Sequence, residues 1–272
     1  MAKKIIITIG HGTADDGKSY DSGAVSKDKK YHEFRIAKEI GKYAQQYYNE
    51  HYSEHCDLMN YDGGLSLQER INKLKDDTYD FIAEIHLNAG GGTGTECYHH
   101  HESERGKKYA EAITKNIASA FGVKNRGAKT KLGSSGNDYF GIIRSTKPCA
   151  VLVETVFIDT DSDLAKVKTS AGQKKCGEAI AKAIASVRGL KAVEKKENKK
   201  ETAKKTETKS KFPYKVKINA TALNVRAGAG IGYKVKATVR RNEVYTIVAE
   251  KDGWGKLKSG IGYIKLSFTK RV

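Results

Sequence analysis

The sequence predicts an α/β domain, a largely parallel twisted sheet flanked by helices, followed by a small all-β barrel. Three observations carry this reading. Segments rich in β-branched residues alternate with amphipathic ones as far as residue 189, as expected for helices packed on a mostly parallel sheet. From Lys191 to Lys211 the chain has almost no large apolar residue. Beyond it, residues 212–272 consist of short alternating runs broken by glycine, the pattern of a small barrel.

The expected strands of the first part are Lys4 to Ile9, Asp57 to Tyr61, Phe81 to Leu87, Thr95 to His99 and Ala150 to Phe157. Ile36, Ile40, Ala44 and Tyr47 recur at helical spacing, so Glu33 to Tyr48 reads as a helix with one buried stripe. Ser66 followed by Glu69 forms a capping box, which starts a helix at Leu67. Two later helices, Glu104 to Phe121 and Gly172 to Arg188, each stop before a glycine that can adopt the left-handed closing conformation. After residue 211, the runs KVKINA, LNVRAG, KVKATV, VYTIVAE, WGKL and GYIKL give five or six strands.

A chain of 272 residues suits two domains. We place the first at residues 1–190 and the second at residues 212–272. The segment KAVEKKENKKETAKKTETKSK between them, residues 191–211, cannot bury enough apolar surface to offset its ordering entropy and reads as a flexible charged linker.

The formal charge of +18 is unevenly distributed. Residues 1–190 carry 28 Lys and Arg against 25 Asp and Glu, residues 191–211 carry 9 against 4, and residues 212–272 carry 13 against 3. Most of the excess lies in the last 82 residues, which suits docking to a polyanion. Nucleic acid, anionic membrane and a teichoic-acid-bearing wall would all attract it. Cys56, Cys97, Cys149 and Cys176 form no C-x-x-C pair, which argues against a zinc ribbon and for free thiols in a reducing compartment. The apolar run after Lys4 is too short for a secretory leader, and no stretch is long enough to span a membrane. The expectation is synthesis in a host cytoplasm and action elsewhere after release.

The first strand runs directly into Gly10-His11-Gly12, which presents an imidazole at the carboxyl edge of the sheet, where open α/β sheets place their sites. His86 ends the run FIAEIHLNAG and takes a second position on that edge. Glu33 opens a helix, and Glu154 stands among apolar neighbours in AVLVETVF, where a carboxylate is costly unless paired or functional. Singly, each has a plainer reading: a hydrogen-bonded loop histidine, a helix N-terminal carboxylate, a solvated edge residue. Together they supply two imidazoles and a carboxylate, a set that holds zinc with one position open for water, plus a further glutamate as proton carrier.

Several separated blocks, ITIGHGTADDGKSYDSGAVS, HEFRIAKEI, LSLQERINKLKD, FIAEIHLNAG, GTGTECYHH and STKPCAVLVETVFIDTDSD, closely resemble the amidase-3 family of zinc-dependent N-acetylmuramoyl-L-alanine amidases, over roughly residues 3–188. The resemblance implies one zinc ion held by His11, Glu33 and His86, with Glu154 as the catalytic acid/base. It implies hydrolysis of the bond between the lactyl group of N-acetylmuramic acid and L-alanine. Arg70 and Asn88 are candidate substrate residues of the groove. Glu84 departs from the family, which has a small or polar residue there, and the triplet His99, His100 and His101 is unusual and raises a second metal ion as an option beside a solvated loop.

The stretch Tyr214 to Val272, through TALNVRAGAGIGYKV and VAEKDGWGKLKSGIGYIKL, resembles the bacterial SH3-like domains that bind peptidoglycan. Trp254, Tyr233 and Tyr263 could line a cleft there or fill its core. The expected partner is therefore the peptidoglycan of a Gram-positive wall, with no nucleic acid and no membrane insertion, and the expected role is that of a phage endolysin. A bacterial autolysin, or a zinc peptidase cutting another stem-peptide bond, would use the same metal chemistry. A nucleic-acid-binding protein would need stacking aromatics in a basic groove, and the single tryptophan lies instead in the wall-binding motif.

Overall fold

The computed structural model describes residues 4–193 except 77 and 148, and residues 212–272 except 231, 232 and 252. The chain divides into two compact units, residues 1–199 and 200–272. The predicted linker falls outside the described residues beyond residue 193.

The first unit contains, in chain order, β1 (Lys4–Ile9), β2 (Gly12–Thr13), β3 (Tyr20–Asp21), α1 (Glu33–His51), β4 (Cys56–Met59), α2 (Leu67–Leu74) and β5 (Tyr79–Asn88). It continues with β6 (Thr95–His99), α3 (Glu104–Phe121), β7 (Asn125–Lys129), α4 (Gly141–Arg144), β8 (Cys149–Phe157), α5 (Asp161–Val167) and α6 (Ser170–Val187). The sheet order is β4-β1-β5-β8-β6-β7. The first four strands run parallel, whereas β6 is antiparallel to β8 and parallel to β7.

The two faces of the sheet are read from the alternation of side chains along β1. Ile5, Ile7 and Ile9 pack with the stripe Ile36, Ile40 and Ala44 of α1 and with Ile113, Ile117, Ile180 and Ile184 of α3 and α6. Ile6 points the other way and joins Ile71, Leu74, Ile82, Ile142, Ile143 and Leu152 under α2 and α4. Cover on both faces explains why β1 and β5 read as nearly continuous apolar runs. The capping box at Ser66 and Glu69 is present, and Gly122 closes α3 at φ 64°.

Five elements of the first unit escaped the sequence reading. The segment NRGAK of β7 has one apolar side chain and a glycine, yet the ladder to β6 makes it an edge strand. The two-residue strands β2 and β3 and the short helices α4 and α5 lack the length for a periodic signal.

The second unit comprises β9 (Tyr214–Ile218), β10 (Ala222–Arg226), β11 (Val235–Arg240), β12 (Val244–Lys251), β13 (Trp254–Leu257), β14 (Tyr263–Lys265) and β15 (Thr269–Arg271). All pair antiparallel, in the order β11-β10-β14-β13-β12-β9-β15. Val216, Ile218, Val225, Ile247, Leu257 and Ile264 form its core. Trp254 is buried beneath Lys265, while Tyr233 is exposed.

Candidate active site and metal centre

Three strand ends and one helix start converge at the carboxyl edge of the parallel strands. His11 follows β1, His86 and Asn88 end β5, Glu154 lies in β8 directly beside His86, and Glu33 is the first residue of α1. A cleft of about 620 Å³ opens over them, with Leu67, Phe140 and Ile142 forming an apolar wall.

His11, Glu33 and His86 each offer one donor atom, and these atoms lie within 4.8 Å of one another. Glu33 Oε1 is 3.3 Å from His11 Nε2 and 2.9 Å from His86 Nδ1. Zinc bonds of about 2.0–2.1 Å in tetrahedral array put donor atoms roughly 3.3 Å apart, so the set fits this ion in both chemistry and spacing. The imidazoles meet edge to face, 4.9 Å between centroids at 77°. Glu33 is buried and oriented by backbone amides: Ala24 N–H donates to Oε2 at 2.7 Å and Leu87 N–H to Oε1 at 3.0 Å. Burial alone would raise its pKa, but hydrogen bonds from His11 and His86 outweigh this and hold it well below the usual range.

Close approach is built into the backbone. A Cβ on Gly10 would lie 2.0 Å from His86 Cε1, and one on Gly23, at φ 64°, would lie 2.6 Å from Glu33 Oε2. His11 itself adopts φ 63°, a conformation rare for a residue with a Cβ and a form of strain met at functional sites. Asn60 holds that turn: its Nδ2 donates to Ile9 O at 2.8 Å and to His11 O at 2.7 Å, and its Oδ1 accepts from Leu65 N–H at 3.0 Å. Asp21 Oδ2 lies 2.6 Å from His11 Nδ1 and so directs the other ring nitrogen toward Glu33. Neither Asn60 nor Asp21 stood out in the sequence. The only signal for Asp21 was its place in YDSGA, where it follows His11 by ten residues.

Glu154 and Glu96 are cross-strand neighbours in opposite electrostatic surroundings. Burial, reinforced by the charges of Glu33 and Glu96 and opposed by His86, pushes the Glu154 carboxyl up to about 7, and its Oε2 is buried with no protein partner. Burial also raises Glu96, but hydrogen bonds from Arg126, Lys129 and Tyr98 prevail and bring it to about 2. The two adjacent carboxyls are thus driven apart, so that Glu154 can hold or release a proton near neutral pH while Glu96 stays ionised.

Of the two candidate groove residues, Asn88 borders the cleft but its Nδ2 donates to Glu96 at 2.7 Å. Arg70 is 3% exposed; its Nε donates to Glu84 at 3.2 Å and its Nη1 to Leu65 O at 2.9 Å. It lines the cleft, with Nε and Nη1 bonded to groups of the protein. In the histidine triplet, His99 is buried. Asp138 Oδ2 lies 2.8 Å from His101 Nδ1 and 3.2 Å from His100 Nε2. Those two rings are stacked at 4.8 Å and 18°. His100, His101 and Asp138 form a second group whose donor atoms lie within 4.8 Å of one another, while His99 is not part of it.

The N-acetylmuramoyl-L-alanine amidase family, Amidase_3, matches residues 5–186. The chain belongs to this family. The amidase LytC of Bacillus subtilis (strain 168) is 30% identical over 185 residues, which is 66% of this chain and 34% of LytC. This chain thus spans about a third of that relative. An endolysin of Bacillus phage SPP1 is 28% identical over 218 residues, 75% of this chain and 74% of the endolysin. The catalytic domain of CwlV from Bacillus (Paenibacillus) polymyxa var. colistinus shares the amidase fold at a TM-score of 0.59 with 24% identity, covering 69% of this chain and 99% of that domain. Among the described residues of this amidase-family chain, no helix is long and apolar enough to cross a membrane.

Proposed function

We propose that the chain is a zinc-dependent peptidoglycan hydrolase of the endolysin type, cutting the amide bond between N-acetylmuramic acid and the L-alanine of the stem peptide. The observation that carries this is the convergence of His11, Glu33 and His86 beside Glu154, whose Oε2 is buried without a protein partner. A zinc ion held by that trio would polarise the scissile carbonyl and lower the pKa of a bound water toward about 7.

The chain's own residues account for the proton movements and for positioning. Glu154 takes a proton from the attacking water and passes it to the departing amine nitrogen, a shuttle that needs one carboxyl near both atoms and a pKa near the working pH. Glu96 stays ionised beside it, neutralised by Arg126 and Lys129, and through Asn88 it fixes the cleft rim next to the metal site. The wall of Leu67, Phe140 and Ile142 shields one side of the cleft from water.

The second unit is proposed to be an SH3-like wall-binding domain. Its support is the sequence resemblance, an all-antiparallel sheet of seven strands and a charge balance of 13 Lys and Arg to 3 Asp and Glu. A phage origin draws on the similarity to the SPP1 endolysin, and a bacterial autolysin draws equally on LytC.

Digestion of purified Gram-positive wall tests the reading. Amidase action frees amino termini of L-alanine, is abolished by a chelator, and falls by about 10²–10⁴-fold in Glu154→Ala while zinc content is retained. Release of other amino-terminal residues would identify a stem-peptide peptidase instead. Activity indifferent to both chelator and substitution would refute the mechanism.

A further inference from the structure

His86 is gripped through both ring nitrogens. Nδ1 lies 2.9 Å from Glu33 Oε1, on the side of the metal centre, and Nε2 lies 3.1 Å from Glu84 Oε1. His11 is held the opposite way round, with Nε2 toward Glu33 and Nδ1 on Asp21. Because Glu84 and His86 are two apart on β5, their side chains leave the same face of the strand, and the carboxylate sits against the imidazole. The other oxygen of Glu84, Oε2, accepts from Arg70 Nε at 3.2 Å. Arg70 is in turn fastened by its bonds to Leu65 O at 2.9 Å and His11 O at 3.4 Å. Both members of this pair are buried, Glu84 at 2% exposure.

A buried Arg–Glu pair seldom stabilises a fold more than apolar residues of the same volume would. Here, however, one carboxylate oxygen is committed to the arginine and the other faces a ring nitrogen of a metal-site histidine. We propose that Glu84 is a positioning residue for the metal centre: it holds His86 with a proton on Nε2 and a bare Nδ1 toward the ion, and Arg70 holds Glu84. An imidazole with a carboxylate behind it is better oriented and a stronger ligand, and loss of such a partner weakens metal affinity about 10–100-fold. The inference rests on the reading of His11, Glu33 and His86 as zinc ligands. It also gives a role to a position where the sequence departs from the family's pattern, since a small residue at 84 could not reach the ring.

Two measurements on the full chain test it. In the zinc-loaded wild-type protein, nitrogen NMR of the histidine side chains should show His86 bound through Nδ1 and protonated at Nε2; binding through Nε2 would overturn the proposal. Zinc affinity, read by competition with a fluorescent chelator, should fall about 10–100-fold in Glu84→Ala and less in Glu84→Gln, whose amide oxygen still accepts from Nε2. Since Glu84→Ala strands Arg70, the double variant Arg70→Met with Glu84→Ala, which removes both charges, supplies the same reading if the single one fails to fold. Affinities within threefold of wild type in whichever of these variants folds would sink the proposal and leave the zinc reading standing. A wild-type chain that takes up no zinc would remove both.

Discussion

Replacing Asn60 by alanine tests whether the strained turn at His11 depends on one side chain. Asn60 is buried and makes three hydrogen bonds, to Ile9 O, His11 O and Leu65 N–H, joining the end of β1 to the loop before α2. A buried polar group left without a partner costs about 1–3 kcal/mol. His11 O keeps a longer bond from Arg70, so the full penalty falls on two groups and a partial one on the third. Asn60 also sits at φ 61°, where asparagine is tolerated and alanine costs about 1 kcal/mol more. The sum for Asn60→Ala is roughly 3–8 kcal/mol of stability. Asn60→Gly removes the same bonds without the backbone penalty, so it should lose about 1 kcal/mol less. Urea unfolding in the presence of a chelator, followed by far-ultraviolet circular dichroism, measures both without a contribution from metal binding. A loss below about 1 kcal/mol for Asn60→Ala would show that the turn holds itself, and equal losses for the two variants would remove the backbone part of the argument.

Two further outcomes follow from the same geometry. Gly10→Ala places a Cβ 2.0 Å from His86 Cε1, so the ring must leave its position; zinc affinity should fall by more than the roughly 100-fold that marks the upper end for loss of an outer partner, and wild-type affinity in a chelator titration would refute the close packing. Asp80 is held at about 2 by its hydrogen bond to Arg105, with Arg188 assisting against burial, and Glu96 at about 2 by Arg126 and Lys129. Both pKa values lie below those of the unfolded chain, so their stabilisation is complete above about pH 5 and is lost as pH falls toward about 2. With allowance for solvent screening, the two together amount to roughly 2–4 kcal/mol. Urea midpoints between pH 5 and pH 2.5 should fall less steeply in Asp80→Asn than in the wild type, and parallel slopes would contradict the assignment.

What could be read from the sequence depended on how local its cause was. β1 and β6 were delimited as found, β1 because a run of β-branched residues ended by glycine is a property of neighbouring residues. The capping box at Ser66 and the glycine closing α3 belong to the same class. His11, Glu33, His86 and Glu154 were legible for a different reason: each stands at a strand end, helix start or apolar run where its side chain is otherwise unexpected, and their order along the chain matched a known pattern.

The sequence by itself therefore determined most of the segments that form the sheet and the longer helices, and which four side chains are candidates for the chemistry. Tertiary structure decided everything that depends on which nitrogen or oxygen faces which neighbour. Arg70, offered as a groove residue, borders the cleft, and the structure adds what the sequence did not show, a bond from its Nε to Glu84, 14 positions away. Asn60 reaches back 51 residues to Ile9 O, and Glu96 and Glu154 diverge in pKa because β6 reverses against β8 and sets them side by side. Such pairings are made by the crossing of strands brought together from distant parts of the chain. Residue type and local period carry no record of them, because a carboxylate's partner and its dielectric surroundings come into being only when the sheet closes around it.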